Sequence, residues 1–169
     1  FFSMTSVLSS HKEQHKVEVW ASRMAVDRDL SLELQLRGVE AGMEADEYFP
    51  LLLEADGGLE LIESRVRNYY LSRPAQSYDI TVHRYVPDDA ASVRLIQEMI
   101  AQGEPISDNS HFVYNYDNAG HSYYAGILTY YSDKSGLTGL IIELRSKSNR
   151  ENRDFNSVYS ASVGPASFV

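Results

Sequence analysis

The sequence contains no cysteine among its 169 residues. Disulfide bridges, zinc sites built on thiolates and cysteine nucleophiles are therefore excluded. A chain without thiols suits an oxidising compartment, where a free thiol is a liability, but cytosolic proteins also lack cysteine by chance. The missing cysteine therefore restricts the chemistry of the protein and leaves its compartment open.

Long apolar runs are missing as well. No stretch approaches the ~20 apolar residues that span a bilayer, and no basic start followed by an apolar core indicates a signal peptide. We therefore expect a soluble domain. Its first residues, Phe1 and Phe2, and its apolar end at residues 163–169 are typical of segments cut from a longer chain.

Basic residues are few. The chain has 15 Lys and Arg against 24 Asp and Glu, which gives a net charge of −9. Nucleic-acid affinity depends largely on basic side chains that neutralise phosphates, so DNA, RNA and anionic membrane surfaces are poor candidate partners.

Motifs for catalysis and cofactor binding are also absent. The sequence contains no Gly-x-Ser-x-Gly elbow, no P-loop and no GxGxxG, so we expect neither an enzyme nor a bound cofactor. His11 and His15 have the spacing of metal ligands on a helix, but no third ligand is evident. A run of carboxylates follows no EF-hand spacing and is interpreted as a solvated helix end, so no metal site is predicted: Glu40, Glu44, Asp46, Glu47, Glu54 and Asp56.

The first third of the chain is rich in helix formers. No proline occurs from His11 to Glu47, which predicts one long helix over about residues 10–47, ended by Pro50 and longer than a small domain is wide. Residues 30–36 alternate as in a strand, but they contain no β-branched residue. Helix is favoured there because four residues keep the spacing of one helical face: Leu32, Leu36, Val39 and Met43.

The middle of the chain alternates helix and strand signals. After Gly57-Gly58 an amphipathic stripe of Leu59, Ile62, Val66, Tyr69 and Tyr70 predicts a second helix, ended by Pro74. Residues 79–86 are β-branched and aromatic with a period of two, which predicts a strand. A helix then extends to Gln102, with three side chains facing inward, Val93, Ile96 and Ile100, and with Gly103 as its stop.

The last third predicts an antiparallel meander. Three strand-like runs, 112–116, 122–131 and 137–145, are separated by short segments rich in Gly, Asn, Asp and Ser. The chain is therefore predicted to be one α+β domain, with a long N-terminal helix, a mixed α/β core over about residues 50–147 and a C-terminal tail at 148–169.

Three segments of the meander carry a resemblance to a known family: residues 107–114 (SDNSHFVY), 122–131 (SYYAGILTYY) and 140–147 (LIIELRSK). They resemble the end of the extracytoplasmic sensor domains of Bacteroidetes-type two-component histidine kinases. The resemblance implies a PAS-like or Cache-like antiparallel sheet with the long helix packed on it. It also implies a periplasmic location between two transmembrane helices of an inner-membrane protein, with the kinase on the cytoplasmic side.

On this interpretation the domain detects an unknown small molecule or periplasmic signal and relays it through the membrane. The long helix is expected to form a homodimer and to transmit the signal. Two alternatives stay open. The chain is then either a free-standing small-molecule binding α+β protein or a helix-mediated interaction module without a ligand.

A ligand site is predicted from the faces of the strands. Alternation places Arg84 on an otherwise apolar face of its strand, and a guanidinium there needs a polar or anionic partner. If the strand faces coincide, four side chains beside Gly126 form a small pocket for an acidic or polar ligand: Arg84, Tyr114, Tyr124 and Tyr130. In the alternative, the tyrosines are cross-strand core pairs and Arg84 reaches water or a carboxylate from the strand end.

Overall fold

The fold was obtained as a computed structural model, which describes residues 28–149. The chain divides into two compact units, Phe1–Leu30 and Ser31–Val169. Apart from Leu30, all elements given below belong to the second unit. Most of the predicted long helix, from residue 10 to residue 27, lies outside the described residues.

Helix α1 covers Leu30–Glu44, so the alternating segment is helical as predicted. The predicted spacing places Leu32, Leu36 and Met43 in the core, each at most 2% exposed. The predicted end at Glu47, however, is wrong. The chain turns after Glu44, and a separate helix α2 begins at Tyr48, whose N–H donates to Asp46 Oδ1 at 2.9 Å.

Helix α2 covers Tyr48–Glu54 and contains Pro50 in its first turn. Pro50 was expected to end a helix and instead lies near the start of one. Proline is tolerated in a first turn because the N–H groups there have no partner within the helix.

Helix α3 covers Gly58–Arg65 and continues as one π-helical turn over Val66–Tyr70, followed by a 3-10 turn at Pro74–Gln76. Ile62 and Val66 are fully buried, as the predicted stripe requires. The wider turn then changes the register of the following residues, and Tyr69 is 68% exposed instead of inward.

The sheet has five antiparallel strands in the order β1-β5-β4-β3-β2 within the described residues. Their bounds are Tyr78–Tyr85 for β1, Glu104–Pro105 for β2, Phe112–Tyr116 for β3, Ser122–Ser132 for β4 and Gly136–Ser146 for β5. The predicted first strand and meander are thereby confirmed, and so is the α+β class. Strand β2 was not predicted, because two residues give no periodic signal.

Helix α4 covers Ala90–Gln102. Its N-terminus is capped by Asp89, whose carboxylate accepts from the Ser92 N–H at 3.0 Å. Ile96 is buried as predicted, but Ile100 is 53% exposed, so its predicted inward position is wrong. Helix α4 therefore presents a narrower apolar stripe to the sheet than its sequence predicts.

The two faces of the sheet carry different helices. On the face we call the α1–α3 face, the even-numbered residues of β1, β3, β4 and β5 meet the first three helices, as in the hydrogen bond from Tyr130 to the Met43 carbonyl. On the α4 face, Ile96 packs on a cluster of odd-numbered residues: Tyr85, Val113, Ala125 and Ile141.

Candidate ligand-binding groove

The predicted strand faces do coincide. Cross-strand register pairs Tyr114 with Tyr124, Tyr124 with Leu144 and Arg84 with Leu140, which places all four predicted ligand residues on the α1–α3 face. Sequence periodicity alone could not establish this, because the register between strands depends on the turns.

The three tyrosines of the predicted site lie in the core beneath α1. Tyr114, Tyr124 and Tyr130 are 1%, 2% and 5% exposed. Tyr124 donates its hydroxyl to the buried Glu33 carboxylate at 2.7 Å, and Tyr130 donates to the Met43 carbonyl at 2.6 Å. Burial raises the pKa of Tyr130, so this hydroxyl stays protonated and acts as a donor.

The gap expected beside Gly126 is filled by an aromatic ring. A Cβ atom at Gly126 would lie 2.4 Å from Cε1 of Phe112, which is itself fully buried. The rings of Tyr114 and Tyr124 are in contact, with centroids 4.9 Å apart. Within the described chain, the Tyr114 hydroxyl is buried without a hydrogen-bond partner.

Arg84 lies apart from the tyrosines, on the edge strand β1 with β5 between them. Its side chain is exposed, and Nη1 donates to the Leu53 carbonyl of α2 at 3.0 Å. The structure thus brings Tyr114 and Tyr124 together, whereas Tyr130 lies six residues further along β4 and Arg84 lies on the edge strand. A ligand-binding role for these four residues stays a prediction.

A groove of about 390 Å³ lies on the other side of the sheet, between α4 and strands β1 and β5. Helix α4 contributes Ser92, Leu95 and Met99, and the sheet contributes the apolar floor of Tyr85 and Ile141. The groove exists because α4 covers only part of its face. Arg84 borders it from the edge strand.

One end of the groove is polar. Arg145 donates from Nε to Glu143 and, at 2.8 Å, from Nη1 to Asp117 Oδ2, and its guanidinium lies 4.5 Å from the centroid of the Tyr123 ring. His83 Nε2 lies 3.8 Å from the second Glu143 oxygen. These side chains form a continuous charged network beside the apolar floor.

Hydrogen bonds favour the charged forms of two members of this network, Asp117 and Arg145. Burial opposes ionisation of Asp117, but hydrogen bonds from the His121 main chain and from Arg145 outweigh it and lower the pKa of this carboxyl. Burial likewise disfavours the charged form of Arg145, but its bonds to Glu143 and Asp117 raise its pKa. Burial raises the pKa of Tyr123, so its ring faces the groove with a protonated hydroxyl.

This arrangement is suited to binding a small molecule. A volume of several hundred Å³, an apolar floor and a few convergent polar groups are typical of ligand sites. A ligand could place its apolar part against Leu95 and Ile141 and its polar part against His83 and Glu143. Sequence reasoning missed the groove because odd-numbered strand positions were assigned no role. The available signal was the pair Glu143 and Arg145, two charged residues of the same strand face that follow the apolar residues 140–142.

No protein-family model, curated protein or solved structure matches this chain. Across residues 28–149, no helix has both the length and the apolar character needed to cross a membrane. The resemblance to kinase sensor domains therefore stays a prediction from the three meander segments.

Proposed function

We propose that the chain is the extracytoplasmic sensory domain of a membrane-bound histidine kinase, located in the periplasm as part of an inner-membrane protein. In this function it binds a small molecule or responds to an envelope signal and relays the change through the membrane. The resemblance of residues 107–114, 122–131 and 140–147 supports the kinase assignment, and these segments contribute to the three paired strands β3, β4 and β5.

The groove between α4 and the sheet is the observation that carries a binding function. It combines an apolar floor with a charged end, and it lies where the helix layer is incomplete. A ligand seated there would contact both α4 and β5. Its binding free energy would then favour one position of α4 over another, which is the requirement for a signal.

We assign the relay of the signal to the N-terminal helix, and we propose that two copies of the chain associate through this helix. Two leucines one turn apart on α1, Leu30 and Leu34, are 68% and 66% exposed. Exposed apolar side chains of this kind favour association with a partner surface. Attachment to a membrane would strengthen the association by raising the effective concentration of the partners.

The test is a pair of matched substitutions. Leu95→Trp fills the groove from α4, whereas Leu61→Trp places the same ring on α3; the two leucines are 53% and 55% exposed. Thermal-shift measurements against a panel of small acids and polar metabolites should find a ligand for the parent. We expect Leu95→Trp to weaken its binding at least tenfold and Leu61→Trp to leave it unchanged; equal binding by both variants would exclude the groove.

The complete reading frame separates the alternatives. Apolar spans on both sides of this chain and a kinase core downstream are expected. Ligand binding without those segments would favour a free-standing binding protein. Self-association without any ligand would favour the helix-mediated interaction module.

A further inference from the structure

Two carboxylates and a histidine meet between helix α1 and the start of β3. Glu40 and Glu44 are one turn apart on α1, and His111 precedes β3. Their ligand atoms all lie within 4.8 Å of one another, and His111 Nδ1 is 3.6 Å from Glu40 Oε2 and in contact with Glu44. Residues about 70 positions apart in the chain thus form one cluster of two oxygen ligands and one nitrogen ligand.

The turn before β3 fixes the position of His111. Asn109 has a positive φ of 66°, which asparagine tolerates better than most residues. Ser110 then donates its hydroxyl to Glu40 Oε1 at 2.6 Å, and the His111 N–H donates to the same carboxylate at 3.2 and 3.3 Å. These bonds hold the main chain of the turn against α1 and do not involve the imidazole ring of His111.

The charge of the cluster is not balanced by a basic side chain. Within residues 28–149, the only ion-pair partner of Glu40 and Glu44 is His111. With His111 neutral, the cluster carries two negative charges in a protein whose net charge is already −9. A bound cation would relieve the repulsion between the carboxylates.

The other two histidine–carboxylate pairs of the described chain differ because their carboxylates also bind an arginine. His83 is 3.8 Å from Glu143, and His121 is 3.7 Å from Asp117. Arg145 binds both of those carboxylates and offsets one of their two negative charges. Among His83, His111 and His121, His111 is the one paired with two carboxylates, and in the part of the chain that the structure describes neither carboxylate forms an ion pair with arginine or lysine.

We propose that Glu40, Glu44 and His111 bind a divalent transition-metal ion such as Zn²⁺. The imidazole nitrogen selects such an ion over Mg²⁺ and Ca²⁺, which prefer oxygen ligands. Glu40 retains coordination capacity, because a carboxylate offers about four lone-pair positions and two donors make three contacts with it here. The ion ties α1 to the start of β3, and water completes its coordination.

The test uses the whole chain in a His11→Ala/His15→Ala background, because those two histidines also have metal-ligand spacing. Titration calorimetry and thermal unfolding with Zn²⁺ are compared for this background, for His111→Ala, for Glu44→Gln and for the control His83→Ala. The side chains of His111 and Glu44 are 55% and 40% exposed, and the main-chain bond from His111 to Glu40 survives in both variants, so the fold is retained.

We expect one Zn²⁺ site per chain in the background and in His83→Ala. At a free concentration about 100 times the dissociation constant, the midpoint of unfolding should rise by about 5–10 °C. His111→Ala should lose the site, Glu44→Gln should bind at least tenfold more weakly, and Mg²⁺ should produce no shift. The proposal is overturned if the background binds no Zn²⁺, if binding survives His111→Ala, or if His83→Ala loses it equally.

Discussion

The two faces of the sheet are packed to different degrees. On the α1–α3 face, aromatic rings fill the space under three helices, and Phe112, Tyr114 and Tyr124 are at most 2% exposed. On the α4 face one helix covers a smaller cluster, in which Tyr85 is 8% and Ile96 is 9% exposed, and a groove of about 390 Å³ remains. The first face therefore provides most of the stability, and the second has room for a ligand.

The helices of the two faces are also held differently. On the α1–α3 side, the buried Asp46 carboxylate accepts from Arg65 Nε at 2.6 Å, from the Tyr70 hydroxyl at 2.6 Å and from the Tyr48 N–H. Burial, with Asp46 beside it, raises the pKa of Tyr70 to about 12. One polar side chain thus joins α1, α2 and the end of α3, whereas α4 reaches its face through Ile96, Met99 and one bond from Asn115 to the Met99 carbonyl.

Two glycines, one on each face of the sheet, give the strongest test of this difference in packing. A Cβ atom at Gly126 would overlap the ring of Phe112, and one at Gly139 would overlap the ring of Tyr85. Phe112 is enclosed, whereas Tyr85 borders the groove and can move into it. We predict that Gly126→Ala lowers the free energy of unfolding by about 3 kcal/mol and Gly139→Ala by about 1 kcal/mol, measured by urea denaturation. Equal losses would mean that the two faces are packed alike.

Asp46→Asn should weaken the α1–α3 side by about 2 kcal/mol, because an amide accepts fewer hydrogen bonds and places an N–H group against donors. The effect should also depend on pH. Burial raises the pKa of Asp46, but its bonds from Tyr70, Arg65 and Tyr48 outweigh this and lower it below the usual 3.8. The folded pKa is therefore below the unfolded one, so the contribution of Asp46 is complete above about pH 5 and is lost as the pH falls through the folded pKa.

Denaturation of the parent and of Asp46→Asn between pH 2 and pH 7 measures this difference. The gap in unfolding free energy should be constant from pH 5 to pH 7 and should narrow below pH 4. Asp133→Asn, on an exposed turn, is the control and should change neither the free energy of unfolding nor its dependence on pH. If the difference in unfolding free energy between the parent and Asp46→Asn did not vary with pH, the ionised Asp46 carboxylate could not be what holds α1, α2 and α3 together.

Removing either of two tyrosine hydroxyls should have the smallest effect on the free energy of unfolding. Tyr130→Phe removes one donor to the buried Met43 carbonyl, which keeps the Asp46 N–H at 3.2 Å. Tyr85→Phe releases the hydroxyl of Thr129, which is exposed and regains water. We predict losses of about 1.5 and about 0.5 kcal/mol, measured as midpoint shifts in thermal unfolding. The opposite order would show that α4, and not α1, covers the better-packed face.

Four of the five described strands could be predicted from the sequence, because alternation is local and each of the four carries its own signal. That their faces coincide could not be predicted, because the register between strands depends on the turns. The break between α1 and α2 could not, since neither glycine nor proline marks Ala45, and the turn depends on the Asp46 side chain. The π-helical turn that moves Tyr69 outward is equally invisible to a search for a period of 3.6.

The candidate sites were harder to predict because they depend on distant residues. The groove combines His83, Glu143 and Arg145 with side chains of α4, and their positions depend on strand register and helix docking. Glu40 and Glu44 were assigned to a solvated surface, since nothing local indicates that His111 lies beside them. In both cases the residue types were visible in the sequence and their juxtaposition was not.

Strand β5 lies between β1 and β4, although it is the last strand in chain order among residues 28–149, and it ends at Ser146. A pull on the chain beyond this residue, directed along the strand, loads the hydrogen-bond ladders on both edges of β5 in shear. Bonds loaded in shear must yield together, whereas an edge strand can be peeled away one pair at a time. A mechanical force applied at this end of the chain is therefore transmitted into the middle of the sheet.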